Sequence, residues 1–200
     1  MSKTVWRFFG GFLQAQQDFL NKMAQQGWRL AKTGKFRYTF EPCEAGKYEY
    51  AVEFTGEKSL RAIRDYQMFL EEMGYRTFTK SINLNFSFGK VRWRPWAKGA
   101  GQLATSPGGF GKELLILEKE RDGTPFQLHT DPADIAAYLA VMRNMYLTLF
   151  LLCLMGAVLA LRGGSFSVTA AVFLGLTLLA AVPTLRYNRL VRRAEKEARF

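Results

Sequence analysis

The 200-residue chain has little histidine and cysteine, the residue types that most often carry metal and redox chemistry. His129 is its one histidine, and Cys43 and Cys153 are its two cysteines. None of the three has a companion at the spacing of a zinc or iron site, so we predict no metal ion and no other cofactor. Two cysteines also exclude a disulfide-stapled miniprotein. We assign no catalytic residue, because a lone histidine at a strand end is more often structural than catalytic.

Acidic residues are scarce as well: 17 Asp and Glu stand against 28 Lys and Arg, for a formal net charge of +11. Residues 1–138 carry 20 basic and 15 acidic side chains, whereas residues 139–200 carry 8 basic and 2 acidic ones. The second part also holds the long apolar runs, so the mean hydropathy of -0.09 describes neither part. This division favours a negatively charged membrane surface over nucleic acid as the partner of the basic charge.

Two apolar runs are long enough to be membrane helices. Residues 145–161 and 165–185 contain no charged side chain, and roughly 20 apolar residues cross a bilayer as a helix. The connection at 162–164 is too short for anything except an antiparallel hairpin. Small residues one turn apart predict close packing of the two helices: Gly156 with Ala160, and Ala171 with Gly175. The alternative is a buried helical hairpin in a soluble dimer.

Charges that flank the two runs predict the orientation. Basic side chains dominate the outer ends of the runs, whereas Arg162 is the one charge in the connection. By the positive-inside rule, both termini are expected in the cytoplasm and the protein in the cell inner membrane. The residues assigned to the membrane flank are Arg143, Arg186, Arg189, Arg192 and Arg193. The basic tail at 186–200 either anchors this topology or binds anionic lipid headgroups.

Strict alternation of apolar and polar side chains predicts strands in the first part of the chain. The alternating segments are residues 36–41, 48–54 and 82–88. They indicate an antiparallel sheet with one aromatic-rich apolar face. Glu41, Glu49 and Glu53 are expected on the solvent faces of neighbouring strands, where cross-strand pairing with Arg37 is their expected use.

Two further segments have helical spacing and are expected to cover the apolar face of the sheet. Their stripes are Leu13, Leu20, Met23 and Ala24 in the first, and Leu60, Ile63, Tyr66, Leu70 and Met73 in the second. A string of Phe-Leu-x-x-Met followed by glycine and an aromatic occurs at 19–28 and, fifty residues later, at 69–75. We therefore predict an α+β fold, with two helices covering an antiparallel sheet as in a ferredoxin-like sandwich.

A third helix is predicted to begin at Asp131-Pro132, because Asp is a favoured N-cap and Pro a favoured first residue. It is expected to run from Pro132 to Leu161, about 45 Å, and so to join the domain stiffly to the membrane. The predicted organisation is a cytoplasmic α+β domain at 1–131, a helical linker at 132–144, a transmembrane hairpin at 145–185 and the basic tail at 186–200.

The order of several motifs resembles one bacterial family. The motifs are Phe19-Leu20-x-x-Met23 leading to Gly27-Trp28-x-Leu30, then Tyr38-Thr39-Phe40-Glu41, then Tyr48-x-Tyr50 with Phe54, and Thr130-Asp131 before the apolar runs. Over residues 1–135 the sequence resembles the family catalogued as domain of unknown function 2812. The resemblance implies a membrane-anchored cytoplasmic domain, often encoded beside PadR-type transcriptional regulators, and it supplies no catalytic residues.

Residues 90–112 have an unusual composition, with five basic side chains, two tryptophans and no acid. Cations can bind phosphates while indole rings lie at a lipid interface. The segment therefore predicts docking on anionic lipid headgroups through Lys90, Arg92, Trp93, Arg94, Trp96 and Lys98. The alternative is a hairpin with a solvated basic face. Its glycines complete neither a phosphate-binding loop nor a dinucleotide fingerprint.

These features favour a membrane-anchored binding or regulatory module over an enzyme. Its expected partners are membrane lipids and an unidentified protein, which includes a second copy of the chain. Two alternatives stay open: a membrane-bound enzyme acting on a lipid or envelope precursor, and a structural subunit of a membrane complex. A deep polar cleft around a buried carboxylate or His129 would favour the enzyme, whereas a filled aromatic core would favour the module.

Overall fold

The structure, a computed structural model, describes most of the chain. The described residues are 2–55, 58–82, 86–88, 91–93, 103–104, 113–124, 126, 128, 132–162 and 167–198. They divide into two compact units, Met1–Leu128 and His129–Phe200. The first unit is α+β and the second is a helical hairpin, so the predicted fold class is confirmed.

The first unit contains two helices and nine strands among its described residues. In chain order these are β1 (Lys3–Trp6), α1 (Leu13–Gln25), β2 (Trp28–Thr33), β3 (Arg37–Pro42), β4 (Tyr48–Phe54), α2 (Leu60–Glu72), β5 (Arg76–Lys80), β6 (Phe86–Phe88), β7 (Val91–Trp93), β8 (Leu103–Ala104) and β9 (Leu114–Glu120). All described strand pairs are antiparallel. They form three sheets of three strands, with the orders β1-β3-β2, β4-β9-β5 and β6-β7-β8.

Two of these sheets are copies of one β-α-β-β arrangement. In β1-α1-β2-β3 the last strand lies between the first two, and in β4-α2-β5-β9 the last strand again lies between its partners. Each copy is therefore a split β-α-β unit, the half from which ferredoxin-like sheets are built. The small sheet β6-β7-β8 is inserted between β5 and β9 of the second copy.

The two helix ends fix how the copies correspond. Each helix has 13 residues and is followed by a glycine with a positive φ, Gly27 at 80° and Gly74 at 87°. These glycines are 47 residues apart, so the predicted fifty-residue register is displaced by one helical turn. Met73 was expected in the core but is the C-cap residue of α2 and is exposed. That prediction was wrong because the repeated string Phe-Leu-x-x-Met does not occupy equivalent positions in the two helices.

One aromatic-rich core joins both copies. Its fully buried members come from α1 and from strands of both sheets: Leu20, Met23, Ala24, Leu30, Tyr38, Phe40, Tyr50, Val52 and Ile116. Phe19 packs edge-on against Tyr38 and Phe40, with ring centroids 5.6 and 5.9 Å apart. On the other face of β9, Leu115 and Leu117 pack with Leu70 of α2. The alternation in β9 therefore serves two apolar layers, which leaves the middle of this sheet buried on both faces.

Helix α1 also covers the outer edge of β4. The Asn21 amide donates to the carbonyl of Tyr50 at 3.0 Å and accepts from the Tyr50 N–H at 2.8 Å. One turn earlier, the Gln17 side chain accepts from the N–H of Val52. These side chains take the place of a neighbouring strand, so an otherwise open edge is satisfied and protected.

The second unit consists of two 30-residue helices, α3 (Pro132–Leu161) and α4 (Val168–Glu197). The helix predicted over 132–161 is confirmed. They pack as an antiparallel pair, since Tyr146 stacks on Tyr187 and Gly156 faces Phe173.

Candidate functional site

The outer faces of α3 and α4 carry apolar side chains. Both helices are long and apolar enough to cross a membrane, with a mean hydropathy of 2.1 over their best windows. Leucines on these faces are largely exposed, and Leu178 and Leu179 reach 70% and 74%. Apolar surface on this scale is unfavourable in water and favourable in hydrocarbon. The helices are thus compatible with a membrane-anchored protein.

The seam between α3 and α4 is built from small and aromatic residues. A β-carbon at Gly156 would lie 2.6 Å from the Phe173 ring, so the predicted close packing at Gly156 is confirmed. The prediction for Ala171 and Gly175 was wrong, because both are exposed and an added β-carbon at Gly175 would meet nothing within 4 Å. The buried side of α4 instead follows Ala170, Thr177, Ala180, Tyr187, Val191 and Ala194. At 3.6 residues per turn, Ala171 and Gly175 point away from that line.

The predicted membrane-flank arginines lie near the polar end of the hairpin. Arg186, Arg189 and Arg193 share one side of α4 and, together with Val182, Leu185 and Leu190, line an open groove of about 470 Å³. Arg192 is exposed, and the Arg143 guanidinium donates to the side chain of Asn144. The groove therefore places apolar side chains directly beside cations.

The predicted docking segment is described only in part. Arg92 and Trp93 belong to β7, whose backbone pairs with β6 in the register Ser87↔Arg92 and Phe86↔Trp93. Lys90, Arg94, Trp96 and Lys98 lie outside the described residues, as does His129. Lipid docking by this segment therefore stays a prediction.

A charged cluster lies where the two copies meet. The Glu118 carboxylate on β9 is buried and accepts from Nε and Nη2 of Arg29 at 2.9 and 2.8 Å. Its other oxygen accepts from the Tyr50 hydroxyl at 2.6 Å, and that hydroxyl in turn accepts from the N–H of Leu30. Arg76 on β5 approaches the same carboxylate at 3.8 Å. These contacts tie together β2 of the first copy and β4, β5 and β9 of the second.

The charged residues of the cluster occupy equivalent positions in the two copies of the repeat. Arg29 and Arg76 each lie two residues after the helix-ending glycine, and their register partners are Glu41 and Glu118. The ion pairs cross between the copies, since Arg29 binds Glu118 and Arg76 lies 3.9 Å from Glu41. Cross-strand pairing of the carboxylates with Arg37 was expected, but the arginine near Glu41 is Arg76. Sequence reasoning also missed Glu118, although the repeated Gly-aromatic-Arg string was a signal that could have located its arginine partners.

Protonation in this cluster fits a structural role. The hydrogen bond to Glu118 raises the pKa of Arg29 above its ordinary value, so the guanidinium stays charged at any physiological pH. Burial, followed by the hydrogen bond to Glu118, raises the pKa of Tyr50 well above its usual range. Burial likewise raises the pKa of the nearby Cys43 thiol, which keeps it from being a reactive thiolate. Both oxygens of Glu118 already accept strong hydrogen bonds, which disfavours a role for it as a general base.

A second buried carboxylate, that of Glu53, does not lie where the sequence predicted it. Glu53 was expected on a solvent face but is buried on β4, where it pairs with Lys58 at 3.1 Å. The reason is that α2 covers this face of the sheet, so the polar stripe of β4 is not its outer surface. Burial is the main cause that raises the pKa of Tyr66 above its usual range, and the nearby charge of Glu53 adds to it. Within the part of the chain that the structure describes, no three His, Cys, Asp or Glu side chains gather as a metal site would require.

Comparison with known protein families gives a match over most of the chain. A family model described as Protein of unknown function (DUF2812) matches residues 12–151. No curated protein matches, and no solved structure matches. The matched range contains the whole charged cluster and the first 20 of the 30 residues of α3.

Proposed function

The chain belongs to the family of unknown function DUF2812, and from that premise we propose that it is a membrane-anchored binding or regulatory module rather than an enzyme. The observation that carries the proposal is the exposed leucine surface of α3 and α4. Two such helices in an antiparallel pair can place a folded α+β unit at a membrane without a further partner.

In this proposal α3 and α4 cross the cell inner membrane, and both termini face the cytoplasm. Support comes from the distribution of charge, because the arginines of α4 cluster after the apolar run and Arg162 is alone near the turn. The groove beside Arg186, Arg189 and Arg193 would then lie at the headgroup level, where cations meet lipid phosphates.

The α+β unit is proposed to bind rather than to catalyse. Its buried carboxylate at Glu118 is engaged by Arg29 and Tyr50, and the core around them is filled with aromatic rings. Anionic lipid headgroups, through the Lys90 to Lys98 segment among others, and a protein partner or second copy are its proposed ligands. Nucleic acid is disfavoured, since the basic charge is divided between two separate units.

Membrane fractionation and reporter fusions test the anchor. We expect the full chain to stay in the membrane pellet after alkaline carbonate and to be released only by detergent. A periplasm-active reporter fused after Gly164 should give signal, and the same reporter fused after Phe200 should give none. Release by carbonate would refute the anchor, whereas signal from the C-terminal fusion would leave the anchor and reverse its orientation.

A further inference from the structure

One end of the sheet β1-β3-β2 carries three exposed aromatic rings. Trp6, Phe8 and Phe36 are 69%, 57% and 38% exposed. The N–H of Arg7 donates to the carbonyl of Phe36 at 2.8 Å, and the rings of Phe8 and Phe36 meet edge-on with centroids 5.9 Å apart. Trp6 is the register partner of Arg37, the residue after Phe36. We call these three rings the aromatic end.

The segments that carry the aromatic end contain basic side chains and no acidic ones. Neither residues 2–17 nor residues 28–40 contain Asp or Glu. The basic side chains of these segments are Lys3, Arg7, Arg29, Lys32, Lys35 and Arg37. Arg29 is bound to Glu118, whereas Arg7, Lys35 and Arg37 are next to the three rings in the chain. Several lie against rings: Lys3 on Trp28, Arg7 on Phe19 and Lys35 on Phe36, with Nζ or Cζ 5.0 to 5.6 Å from the ring centroids.

The aromatic end is held in place. The buried Lys80 ammonium donates to the carbonyls of Gly34 and Lys35, which fixes the turn that carries Phe36. The N–H of Gly34 donates to the carbonyl of Arg37 at 2.7 Å, and the Thr33 hydroxyl donates to the carbonyl of Thr79. The rings are thus presented on a braced turn and an edge strand.

Charge distinguishes this surface from the other exposed apolar surface of the unit. Met68, Phe69 and Met73 on α2 are 55% to 56% exposed, close to the aromatic end in accessibility. Their helix neighbours Glu71 and Glu72 are acidic and exposed. An anionic bilayer would attract the aromatic end and repel this part of α2.

We propose that the aromatic end docks on anionic phospholipid headgroups, with Trp6, Phe8 and Phe36 at the membrane interface and Arg7, Lys35 and Arg37 on the phosphates. Indole and phenyl rings favour the headgroup level, and each cation near an anionic surface adds about 1 kcal/mol. The inference rests on the proposed membrane anchor, which keeps a bilayer within reach, and it assigns docking to residues that the predicted Lys90 to Lys98 segment does not contain.

Fluorescence of Trp6 in the full chain tests this surface. Trp28, Trp93 and Trp96 are replaced by Phe, which leaves Trp6 as the one indole, and the protein is reconstituted into vesicles that contain brominated phosphatidylcholine. We expect bromine near the headgroups to remove most of the Trp6 emission when the vesicles also contain phosphatidylglycerol. Zwitterionic vesicles or high salt should restore it, because the attraction is electrostatic. Emission typical of water in every vesicle would overturn the proposal.

Matched variants separate docking from other causes. Arg7→Gln, Lys35→Gln and Arg37→Gln together should abolish the quenching by anionic vesicles, and Phe8→Ser should weaken it. Phe69→Ser, at a site of similar exposure on α2, should leave it unchanged. Equal losses from Phe8→Ser and Phe69→Ser would refute the assignment.

Two further outcomes would also reject it. If Trp6 emission shows that the indole is shielded from water, and this shielding depends on protein density rather than on anionic lipid, a second copy covers the surface. If added RNA shields Trp6 from water in zwitterionic vesicles, the aromatic end binds nucleic acid instead. Each assay includes flotation of the vesicles, so that loss of the anchor, which refutes the proposed function, is distinguished from a water-exposed Trp6 on an anchored chain.

Discussion

At the residue scale, the Glu118 carboxylate couples the two copies of the repeat. Replacing it with Gln leaves the Arg29 charge without its partner and weakens the bond from Tyr50. We expect Glu118→Gln to lower the free energy of unfolding by about 2 to 3 kcal/mol, the range for a buried, charge-assisted interaction. Urea unfolding of the full chain in detergent, followed by tryptophan emission, measures this.

Glu120 is the matched control on the same strand. It is 69% exposed and lies 3.5 Å from the exposed Lys47. An exposed pair of this kind contributes about 0 to 1 kcal/mol, so Glu120→Gln should scarcely move the urea midpoint. Equal effects from the two variants would show that Glu118 is not the link between the copies.

Lys80 gives the unit a pH dependence of definite sign. Burial lowers the pKa of Lys80 from 10.5 to about 8. Between these values the unfolded chain holds a proton that the folded chain has released, so stability should rise with pH in this window. Burial raises the pKa of Tyr38 above its usual 10.0, so the tyrosine contribution is lost only above about pH 10.

The measurement is the urea midpoint at about pH 7.5 and about pH 9.5, on either side of most of the Lys80 titration. The native chain should become more stable across this interval, whereas Lys80→Met should lose that rise although its stability is lower throughout. Lys35→Met, at an exposed position, should keep the rise. The same slope in the native chain and Lys80→Met would contradict the assignment.

Sequence patterns located the apolar residues of this unit better than its charged ones. Alternation identified Tyr38, Phe40 and Tyr50 as core residues, because the strand period depends only on near neighbours. It misplaced Glu53, since whether a polar stripe meets water depends on α2, which no local pattern places over it. Glu118 was missed for the same reason: its partner Arg29 is 89 residues away.

At the element scale, the helix-ending glycines differ in what surrounds them. A β-carbon at Gly27 would lie 3.1 Å from the carbonyl oxygen of Cys43, whereas one at Gly74 would meet nothing within 4 Å. Both have positive φ, which costs an L residue about 1 to 2 kcal/mol. We expect Gly74→Ala to show only that backbone cost in urea unfolding, and Gly27→Ala to exceed it.

Each glycine variant is the control for the other, because helix length and the glycine φ are almost the same in both copies. A larger loss at Gly74 than at Gly27 would show that helix-end crowding does not set the cost. The sequence revealed that the element repeats but placed the copies one turn out of register. The string of matching letters included Met23 and Met73, and only the cap geometry shows that they are not equivalent.

At the scale of the whole molecule, the chain joins two units with different surfaces. The α+β unit buries Tyr38, Phe40 and Tyr50 in a core of its own, whereas the hairpin keeps small and aromatic residues inside and leucines outside. Composition predicted this division, since apolar runs without charge need no knowledge of tertiary contacts. The exposed aromatic end was not predicted, because Trp6 and Phe36 reach the same end of the sheet only when β1 pairs with β3.

A core of its own implies that the first unit can fold without the second. We expect a chain ended after Leu128 to remain in the supernatant after ultracentrifugation and to unfold in urea as cooperatively as the full chain does in detergent. The complementary chain, 129–200, should pellet with membranes, because its exposed leucine surface is more stable in hydrocarbon than in water. In the shortened chain Glu118→Gln should lose as much stability as in the full chain, since Arg29, Tyr50 and Arg76 are all retained. An unfolded 1–128 would show instead that the hairpin supplies part of the core.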